Sequence, residues 1–335
     1  MHVELVVPGL FQARASVVST PALELLLARG RRSATPAAAP GDWYADAFGL
    51  EATPLPAGAL SALACGLEPG GAYWMRADPV HLRADRDRVL LIPSQGFALA
   101  AEEAGSLAAA LNAHFTEDFS LHAVRADTWC LQTGREMPVS TRAPVEIAGR
   151  SVDEELPDKR WHPLLNEIQM AMYQHPVNTA REARGDPVVN GIWLWGAGRL
   201  PPAESLRNPG AWQSVSAEDP VALGLARLAG LRHREPGPGA AQWLERAPES
   251  GRHLVVLDGL RGARVLGDAG ALEQRLHSLD QRWFSPLLEA LRSGRIAMLT
   301  TCVPDAAASF ETARTDLRRF WRRPKPLAAY GALLA

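Results

Sequence analysis

The stretch Trp161–Pro201 constrains the fold most, because its hydrophobic spacing changes from that of a helix to that of a strand within one run. Pro163–Gln174 carries apolar residues at helical spacing and a proline in its first turn, which predicts an amphipathic helix. Thr179–Arg184 predicts a short second helix that ends at Gly185. Val188–Trp195 is a mostly apolar run, which predicts a strand. The whole stretch therefore predicts a helix–turn–helix–strand corner.

Four polar side chains lie beside the turns of this corner: Asn178, Arg181, Arg184 and Asn190. A guanidinium group offers a fixed fork of donors that suits phosphate and carboxylate oxygens, so the four predict a candidate anion site. A structural interpretation stays open beside it. In that interpretation the asparagines hydrogen-bond turn backbone, and the arginines are solvated or paired with carboxylates.

The N-terminal part of the chain predicts alternating strands and helices. Val3–Val7 is a buried strand by its apolar run, and Thr20–Gly30 is a helix with a proline in its first turn and a glycine at its end. The Ala- and Pro-rich segment Ser33–Gly41 predicts a loop, and Asp42–Leu50 and Gly58–Leu67 predict short helices. This order is typical of an α/β layered sheet.

The segment from Gly71 to Ile147 predicts a compact α+β unit. Asp78 and His81 lie between its first two strands and favour a surface turn over a pair of metal ligands, since two such residues are a weak signal. The predicted elements are strands Gly71–Met75 and Val89–Ile92, helix Ala100–His114, and strands His122–Val124, Trp129–Gln132 and Val145–Ile147. Those of the second half are helix Asp219–Gly230, strand His253–Leu257, helices Gly270–Leu279 and Ser285–Ser293, and strand Arg295–Thr300.

Composition narrows the classes of function. The 335 residues are 47% hydrophobic and 21% charged, which predicts a well-formed core and two domains, or one large domain with an insertion. The net charge of −2 gives no electrostatic reason for binding nucleic acid or an anionic membrane. Three scattered cysteines, no signal-peptide pattern and no long apolar run predict a cytoplasmic location.

A basic run, Arg314–Lys325, contains Phe320 and Trp321 near the end of the chain. Such a run is compatible with nucleic acid or an acidic partner. Because the whole chain is slightly acidic, the sequence favours a solvated helix face instead.

The central stretch also carries a family resemblance. Its pattern H-P-V-N-x-x-R-x-x-x-G-x-x-x-x-N-x-x-x-L-x-G-A-G resembles archaeal-type cofactor-independent phosphoglycerate mutases, of the alkaline phosphatase superfamily. The chain is more similar still to RpfE-type regulatory proteins, through Ala77–Leu82, Leu165–Met170 and Trp193–Gly196. The resemblance implies an alkaline-phosphatase-like layered sheet, residues 1–70 and 200–335, with a smaller inserted α+β domain, residues 71–199.

Other positions depart from the mutase pattern. The resemblance implies a serine nucleophile and a set of Asp and His ligands for two divalent cations, and the sequence has other residues at these places. Pro8-Gly9 stands where the family has an Asp-Gly, and Gly41 stands where it has the Ser that precedes Asp42. In the stretch Asp258–Arg264, Ala263 stands where the family has a His. Thr301-Cys302-Val303 stands where the family ends its last strand in Asp-His, and Trp195 stands where it has an Arg. The resemblance therefore implies no catalytic residue, no metal ligand and no cofactor in this chain.

What remains of the pattern is Asn178, Arg181 and Asn190, and Arg76 resembles an Arg at the start of the insertion. These residues are candidate ligand-binding groups, or they hold the interface between the two domains. We expect a non-catalytic regulatory protein that senses a phosphorylated or carboxylated metabolite or binds a regulatory protein partner.

Two alternatives stay open. One is residual mutase or phosphatase activity in a rebuilt site, for which the candidate residues are Asp42, Asp78, His81, Asp258 and Cys302. The other is a partner-binding protein without a small ligand, which uses the basic tail around Arg318–Arg323.

Overall fold

The computed structural model describes residues 1–11, 18–34, 39–51, 54–86, 88–116, 118–155, 161–207, 212–261 and 269–332. The chain forms two compact units. The core unit consists of Met1–Glu51 and Ala203–Ala335, and the inserted unit is Ala52–Pro202. Each unit has its own hydrophobic cluster.

The core unit is built on a seven-stranded mixed sheet. Its strands are β1 (His2–Val6), β2 (Arg31–Ala34), β8 (Ser214–Ala217), β9 (Arg232–Arg234), β10 (Arg252–Val256), β11 (Met298–Val303) and β12 (Ala308–Ala313). Its helices are α1 (Pro21–Arg29), α2 (Pro40–Phe48), α7 (Pro220–Leu228), α8 (Ala240–Arg246), α9 (Ala269–Leu279), α10 (Ser285–Ser293) and α11 (Leu327–Ala332).

The order of the strands is β2-β12-β11-β1-β10-β8-β9. β11, β1, β10, β8 and β9 are parallel, and β12 and β2 are antiparallel additions at one edge. Parallel strands are covered on both faces, which explains the apolar runs of β1 and β10. The carboxyl ends of β11, β1, β10 and β8 consequently meet at one edge of the sheet, which we call the carboxyl edge.

Helix α1 begins with a cap from a distant part of the chain. Thr20 makes no side-chain cap bond; instead, the Asp280 carboxylate accepts hydrogen bonds from the backbone N–H groups of Leu23, at 2.8 Å, and Ala22, at 3.4 Å. Asp280 begins a π-helical turn, Asp280–Phe284, between α9 and α10. The first N–H groups of a helix have no partner within it, so this carboxylate stabilises the start of α1.

Among its described residues, the inserted unit has a five-stranded antiparallel sheet and four α-helices. Its strands are β3 (Tyr73–Asp85), β4 (Arg88–Pro93), β5 (Ser120–Arg125), β6 (Thr128–Thr133) and β7 (Gly191–Gly198). Its helices are α3 (Ala57–Ala64), α4 (Ala101–His114), α5 (His162–Tyr173) and α6 (Pro176–Arg184).

The long strand β3 organises this unit, because it pairs with β4, β6 and β7. Helix α3 packs closely on it: a Cβ added at Gly58 would lie 2.3 Å from the Cα of Met75. Only glycine therefore permits this approach of helix and strand.

Most predicted elements are confirmed, with shifts at their ends. One prediction is wrong at Asp78 and His81, which lie within β3 and not in a surface turn. A second is wrong at Val145–Ile147, where residues 144–146 form a turn and Ile147 packs with Val80 and Leu91. The predicted loop Ser33–Gly41 is wrong at both ends, in β2 and α2.

The basic run does not form the predicted helix face. A 3-10 helix covers Arg314–Arg318, and the chain is then non-helical up to Leu327, where α11 begins. Pro324 and Pro326 oppose a continuous helix here. No helix in the described ranges has both the length and the hydropathy needed to cross a membrane.

Candidate functional site

Arg181 of the central pattern lies in the interior of the inserted unit, only 1% exposed. Its Nε donates to the carbonyl of Pro187 at 2.7 Å, its Nη2 to the carbonyl of Ala98 at 2.8 Å, and its Nη1 to Glu103 Oε2 at 2.6 Å. The guanidinium also lies over the ring of Phe97, 5.5 Å from its centroid. Every nitrogen of this fork thus already donates to a protein oxygen.

Arg184 shares the same carboxylate but is half exposed. It donates to Glu103 Oε1 at 2.8 Å and to Asp186 Oδ2 at 2.9 Å. Desolvation raises the pKa of Glu103, but hydrogen bonds from Ala100 N–H and from the guanidinium groups of Arg184 and Arg181 outweigh it, so the net pKa is lowered. Glu103 is therefore the anion that this pair of arginines holds.

The two asparagines bind backbone. Asn178 donates to the carbonyls of Met172 and Val189, both at 2.8 Å, and accepts from Val189 N–H at 2.9 Å. Asn190 accepts from Leu82 N–H at 2.7 Å and donates to the Leu82 carbonyl at 2.9 Å. We call Asn178, Arg181 and Glu103 with their partners the motif network.

Arg76 forms a separate cluster. It donates twice to Asp78 Oδ1, at 2.9 and 2.6 Å, and once to Ser61 Oγ at 3.2 Å. The indole of Trp195 lies 5.1 Å from Arg76 and donates to Asp78 Oδ2 at 2.7 Å. Burial raises the pKa of Asp78 although these donors act against it. Trp195, which replaces an Arg of the resembling family, therefore completes a buried ion pair.

The structure thus brings Arg181, Arg184 and Asn178 together. It places Arg76 elsewhere, on β3, and Asn190 directly before β7, where it contacts the backbone of Leu82. Each partner named above belongs to the inserted unit. That these five residues bind a ligand stays a prediction, since every one of them has partners within the protein. His81 likewise contacts backbone, with its Nδ1 2.8 Å from the carbonyl of Val188.

The carboxyl edge of the core sheet offers a different arrangement. Asp219 and Asp258 follow β8 and β10, and Tyr44 of α2 is buried beside them. Desolvation, then repulsion by Asp219, raises the pKa of the half-buried Asp258 to about 7, although Arg261 opposes the shift. Burial and the same two carboxylates raise the pKa of Tyr44, whose hydroxyl makes no hydrogen bond of good geometry.

A cavity of about 360 Å³ lies at this edge. Its wall includes Leu257 and Gly259, the neighbours of Asp258, together with Glu218, Arg275 and Arg282. Arg275 donates to the carbonyl of Gly259, which fixes its side chain at the cavity. Arg282 belongs to the π-helical turn, a distortion often found at functional sites. Crevices outside the carboxyl ends of parallel strands are the usual binding sites of α/β proteins.

The described residues of this edge do not supply the ligands that a pair of divalent cations needs. Cys302 is buried, and desolvation raises its thiol pKa to about 12, so it does not supply a thiolate. Asp42 is exposed in the first turn of α2. Within the described ranges, no three His, Cys, Asp or Glu residues are grouped as a metal ion requires. Ala263 lies outside the described residues.

Sequence reasoning missed Arg275, Arg282, Asp219 and Tyr44. For Asp219 a signal existed, because an acidic residue before Pro220 is typical of a helix cap, and its Oδ1 accepts from Val221 N–H at 2.8 Å. The two arginines carry no local signal, since only the π-helical turn and the fold bring them to the carboxyl edge.

A comparison of the sequence with those of known proteins shows similarity to one mutase. The chain is 27% identical over 181 residues to a probable 2,3-bisphosphoglycerate-independent phosphoglycerate mutase of Geobacter sulfurreducens. Part of the chain is therefore similar in sequence to a cofactor-independent phosphoglycerate mutase. The match covers 48% of the chain and 44% of that mutase, so the chain spans less than half of its relative. No family profile matches the chain.

Two solved structures are similar over nearly the whole chain. The PH0037 protein of Pyrococcus horikoshii has a TM-score of 0.59 at 13% identity, with 99% of this chain and 92% of that one covered. A cofactor-independent phosphoglycerate mutase of Thermoplasma acidophilum has a TM-score of 0.48 at 18% identity, with 98% and 94% covered. The first likeness shows a shared fold. The predicted α/β class with a second sheet in an insertion is thus confirmed.

Proposed function

We propose that this chain is a non-catalytic, phosphoglycerate-mutase-like regulatory protein that binds a small phosphorylated or carboxylated metabolite at the carboxyl edge. One observation carries the proposal: Arg275 and Arg282 line a cavity of about 360 Å³ where the parallel strands end. This is the position at which α/β folds bind ligands. The mutase-like scaffold keeps its crevice, while Gly41 stands where the resembling family has its nucleophile.

The charges of the cavity favour an anion. Arg275 and Arg282 offer two guanidinium forks against the single carboxylate of Glu218 in the lining. The raised pKa of Asp258, about 7, leaves a large fraction of that carboxyl group uncharged near neutral pH. Less negative charge at the edge lowers the repulsion that an incoming phosphate or carboxylate meets.

A regulatory role follows if the occupied cavity is recognised by a partner protein, as the similarity to RpfE-type proteins suggests. We place this activity in the cytoplasm, in line with three free cysteines, of which Cys130 and Cys302 are buried. This partner and this location are proposals.

A second candidate function has one observation in its favour. Desolvation, together with repulsion by Asp219, raises the pKa of Asp258 to about 7, and a carboxyl group with such a raised pKa beside a second carboxylate is typical of acid–base sites. A residual phosphatase or mutase would use this pair in a rebuilt site.

Calorimetric titration of the metal-free protein with 3-phosphoglycerate tests the proposal. We expect saturable binding that Arg282→Ala weakens by about tenfold, because one charge-assisted contact is lost. Arg292→Ala is the matched control: it removes another exposed arginine, which lies on α10 and pairs with Glu289. Absence of binding, or equal weakening by both variants, would contradict the proposed site and favour a partner-binding protein.

A further inference from the structure

A second cavity of the core unit lies apart from the carboxyl edge, around the basic run. Its volume is about 690 Å³, within the range of small-molecule sites. Its lining comes from the end of α1, from β2 and β12, and from the C-terminal segment. Five cationic side chains line it: Arg31, Arg32, Arg322, Arg323 and Lys325.

Most of this charge is not neutralised by carboxylates. Arg31 pairs with Glu311 at 2.5 Å. In the described part of the chain, Arg32, Arg323 and Lys325 form no ion pair. A chain with a net charge of −2 thus brings five of its 35 lysine and arginine residues to one cavity. Such a field attracts a ligand with several negative charges.

The backbone that presents these cations is fixed in place. Arg29 donates from Nε to the carbonyl of Arg322 at 3.0 Å and from Nη1 to the carbonyl of Leu317 at 2.7 Å. In return, Arg322 donates to the carbonyl of Gly30 at 2.8 Å, and Arg319 donates to the carbonyl of Arg29 at 3.3 Å. These bonds satisfy the last carbonyls of α1 and hold the segment against the helix. The cavity is therefore organised before any ligand arrives, which lowers the entropy cost of binding.

Aromatic side chains line the cavity beside the cations. Phe310 and Tyr330 form part of the wall, with ring centroids 6.3 Å apart. Trp321 also lines it and is 66% exposed, although a large apolar ring is costly to leave in water. An exposed indole beside arginines is a platform on which a flat heterocycle stacks.

From this combination we infer that the cavity binds a nucleoside di- or triphosphate. Arg32, Arg323 and Lys325 hold the phosphates, and Trp321 stacks on the base. Two other ligands fit the cavity less well. A lone phosphate would leave the indole of Trp321 and most of the cavity volume without contacts. A long strand of nucleic acid would meet no net positive charge outside the cavity, because the net charge of the chain is −2.

Titration calorimetry of the full chain with ATP in metal-free buffer tests the inference, with sodium tripolyphosphate, adenosine and a single-stranded oligothymidylate as comparison ligands. We expect ATP to bind about tenfold more tightly than tripolyphosphate, because stacking adds to the charge contacts. Adenosine alone should bind weakly or not at all.

The variant Arg323→Ala/Lys325→Ala should weaken ATP binding by about tenfold or more, since two charge-assisted contacts are lost. The matched control is Arg314→Ala/Arg318→Ala, which removes the same charge from the same segment but from residues outside the lining. Trp321→Ala should reduce the affinity for ATP to that for tripolyphosphate and leave the latter unchanged.

Besides the control at the carboxyl edge described below, four results would overturn the inference. The first is that ATP does not bind, and the second is that ATP and tripolyphosphate bind with equal affinity. The third is that the oligonucleotide binds and ATP does not. The fourth is that the two double variants change the affinity for ATP equally. Arg275→Ala/Arg282→Ala must leave ATP binding unchanged; loss there would move the nucleotide to the carboxyl edge. All substituted side chains are exposed, so the variants should fold.

Discussion

The motif network and the carboxyl edge both contain charged and polar side chains, but they differ in how well these groups are hydrogen-bonded. In the motif network, Arg181 and Asn178 are buried and every polar group named has a partner at hydrogen-bond distance. At the carboxyl edge, Asp258 faces another carboxylate, and the buried hydroxyl of Tyr44 makes no good hydrogen bond. Satisfied polar groups stabilise a fold, whereas poorly satisfied ones store free energy that a ligand can release.

The comparison teaches that a recognisable pattern need not mark the binding site. Residues that match a related enzyme can persist because removing them leaves buried charges and carbonyls without partners. The following predictions test this difference, in order of decreasing effect.

Replacing Arg181 by Ala should have the largest effect, a loss of about 3–5 kcal/mol in the free energy of unfolding, because it removes a buried guanidinium that donates to Glu103 and to the carbonyls of Ala98 and Pro187. Chemical denaturation monitored by tryptophan fluorescence measures it on the transition of the inserted unit. A loss below about 1 kcal/mol would show that water replaces the guanidinium. It would contradict the claim that the motif network, unlike the carboxyl edge, stabilises the fold.

Replacing Asn178 by Ala should cost about 2–3 kcal/mol, since the carbonyls of Met172 and Val189 and the N–H of Val189 lose their partner. The same denaturation experiment measures it. If Asn178→Ala instead abolishes 3-phosphoglycerate binding and leaves stability unchanged, Asn178 is a ligand residue after all.

Replacing Asp258 by Asn should change how stability depends on pH. The pKa of Asp258 is raised from 3.8 to about 7 in the folded state. Its protonated carboxyl group therefore contributes fully to the free energy of unfolding below pH 3.8, and this contribution is lost as the pH rises through about 7. We expect the variant to match the wild type near pH 4 and to exceed it at pH 8 by on the order of 2 kcal/mol.

Unfolding free energies measured across this pH range check the prediction. Asp46→Asn, in the exposed part of α2, is the control and should leave the pH profile unchanged. If Asp258→Asn has the same pH profile as the wild type, the pKa of Asp258 is not raised by folding. The carboxyl edge would then not differ from the motif network in the way described above.

Replacing Arg184 by Ala should have the smallest effect, below about 1 kcal/mol, although it contacts the same Glu103 as Arg181. Its side chain is 52% exposed, so water takes over the freed carboxylate oxygen. Thermal unfolding at low and high salt checks this. A cost as large as that of Arg181→Ala would mean that burial does not decide which of these arginines is structural.

Hydrophobic spacing predicted most of the fold, and tertiary pairing explains where it failed. The sequence predicts a surface turn at Asp78 and His81, yet Pro79 between them lies within β3 opposite Ile192. On the other side of β3, β6 pairs with residues 73–76 and β4 with residues 80–85, so Pro79 falls between them and its missing N–H costs no bond there. Only the register of three partner strands reveals this.

The site was less predictable than the fold. The pattern around Arg181 predicted an anion site, and sequence alone does not reveal that Glu103, 78 residues away, is the carboxylate that Arg181 contacts. Arg282 reaches the carboxyl edge through a π-helical turn, which has no simple sequence signature.

The most direct measurement of the central claim is a turnover assay with 3-phosphoglycerate and manganese, run beside calorimetry on the same protein preparation. The account predicts binding without manganese, lost in Arg275→Ala/Arg282→Ala, and no formation of 2-phosphoglycerate or free phosphate above background. Manganese-dependent turnover that Asp258→Asn abolishes would contradict it and would identify the carboxyl edge as a rebuilt active site.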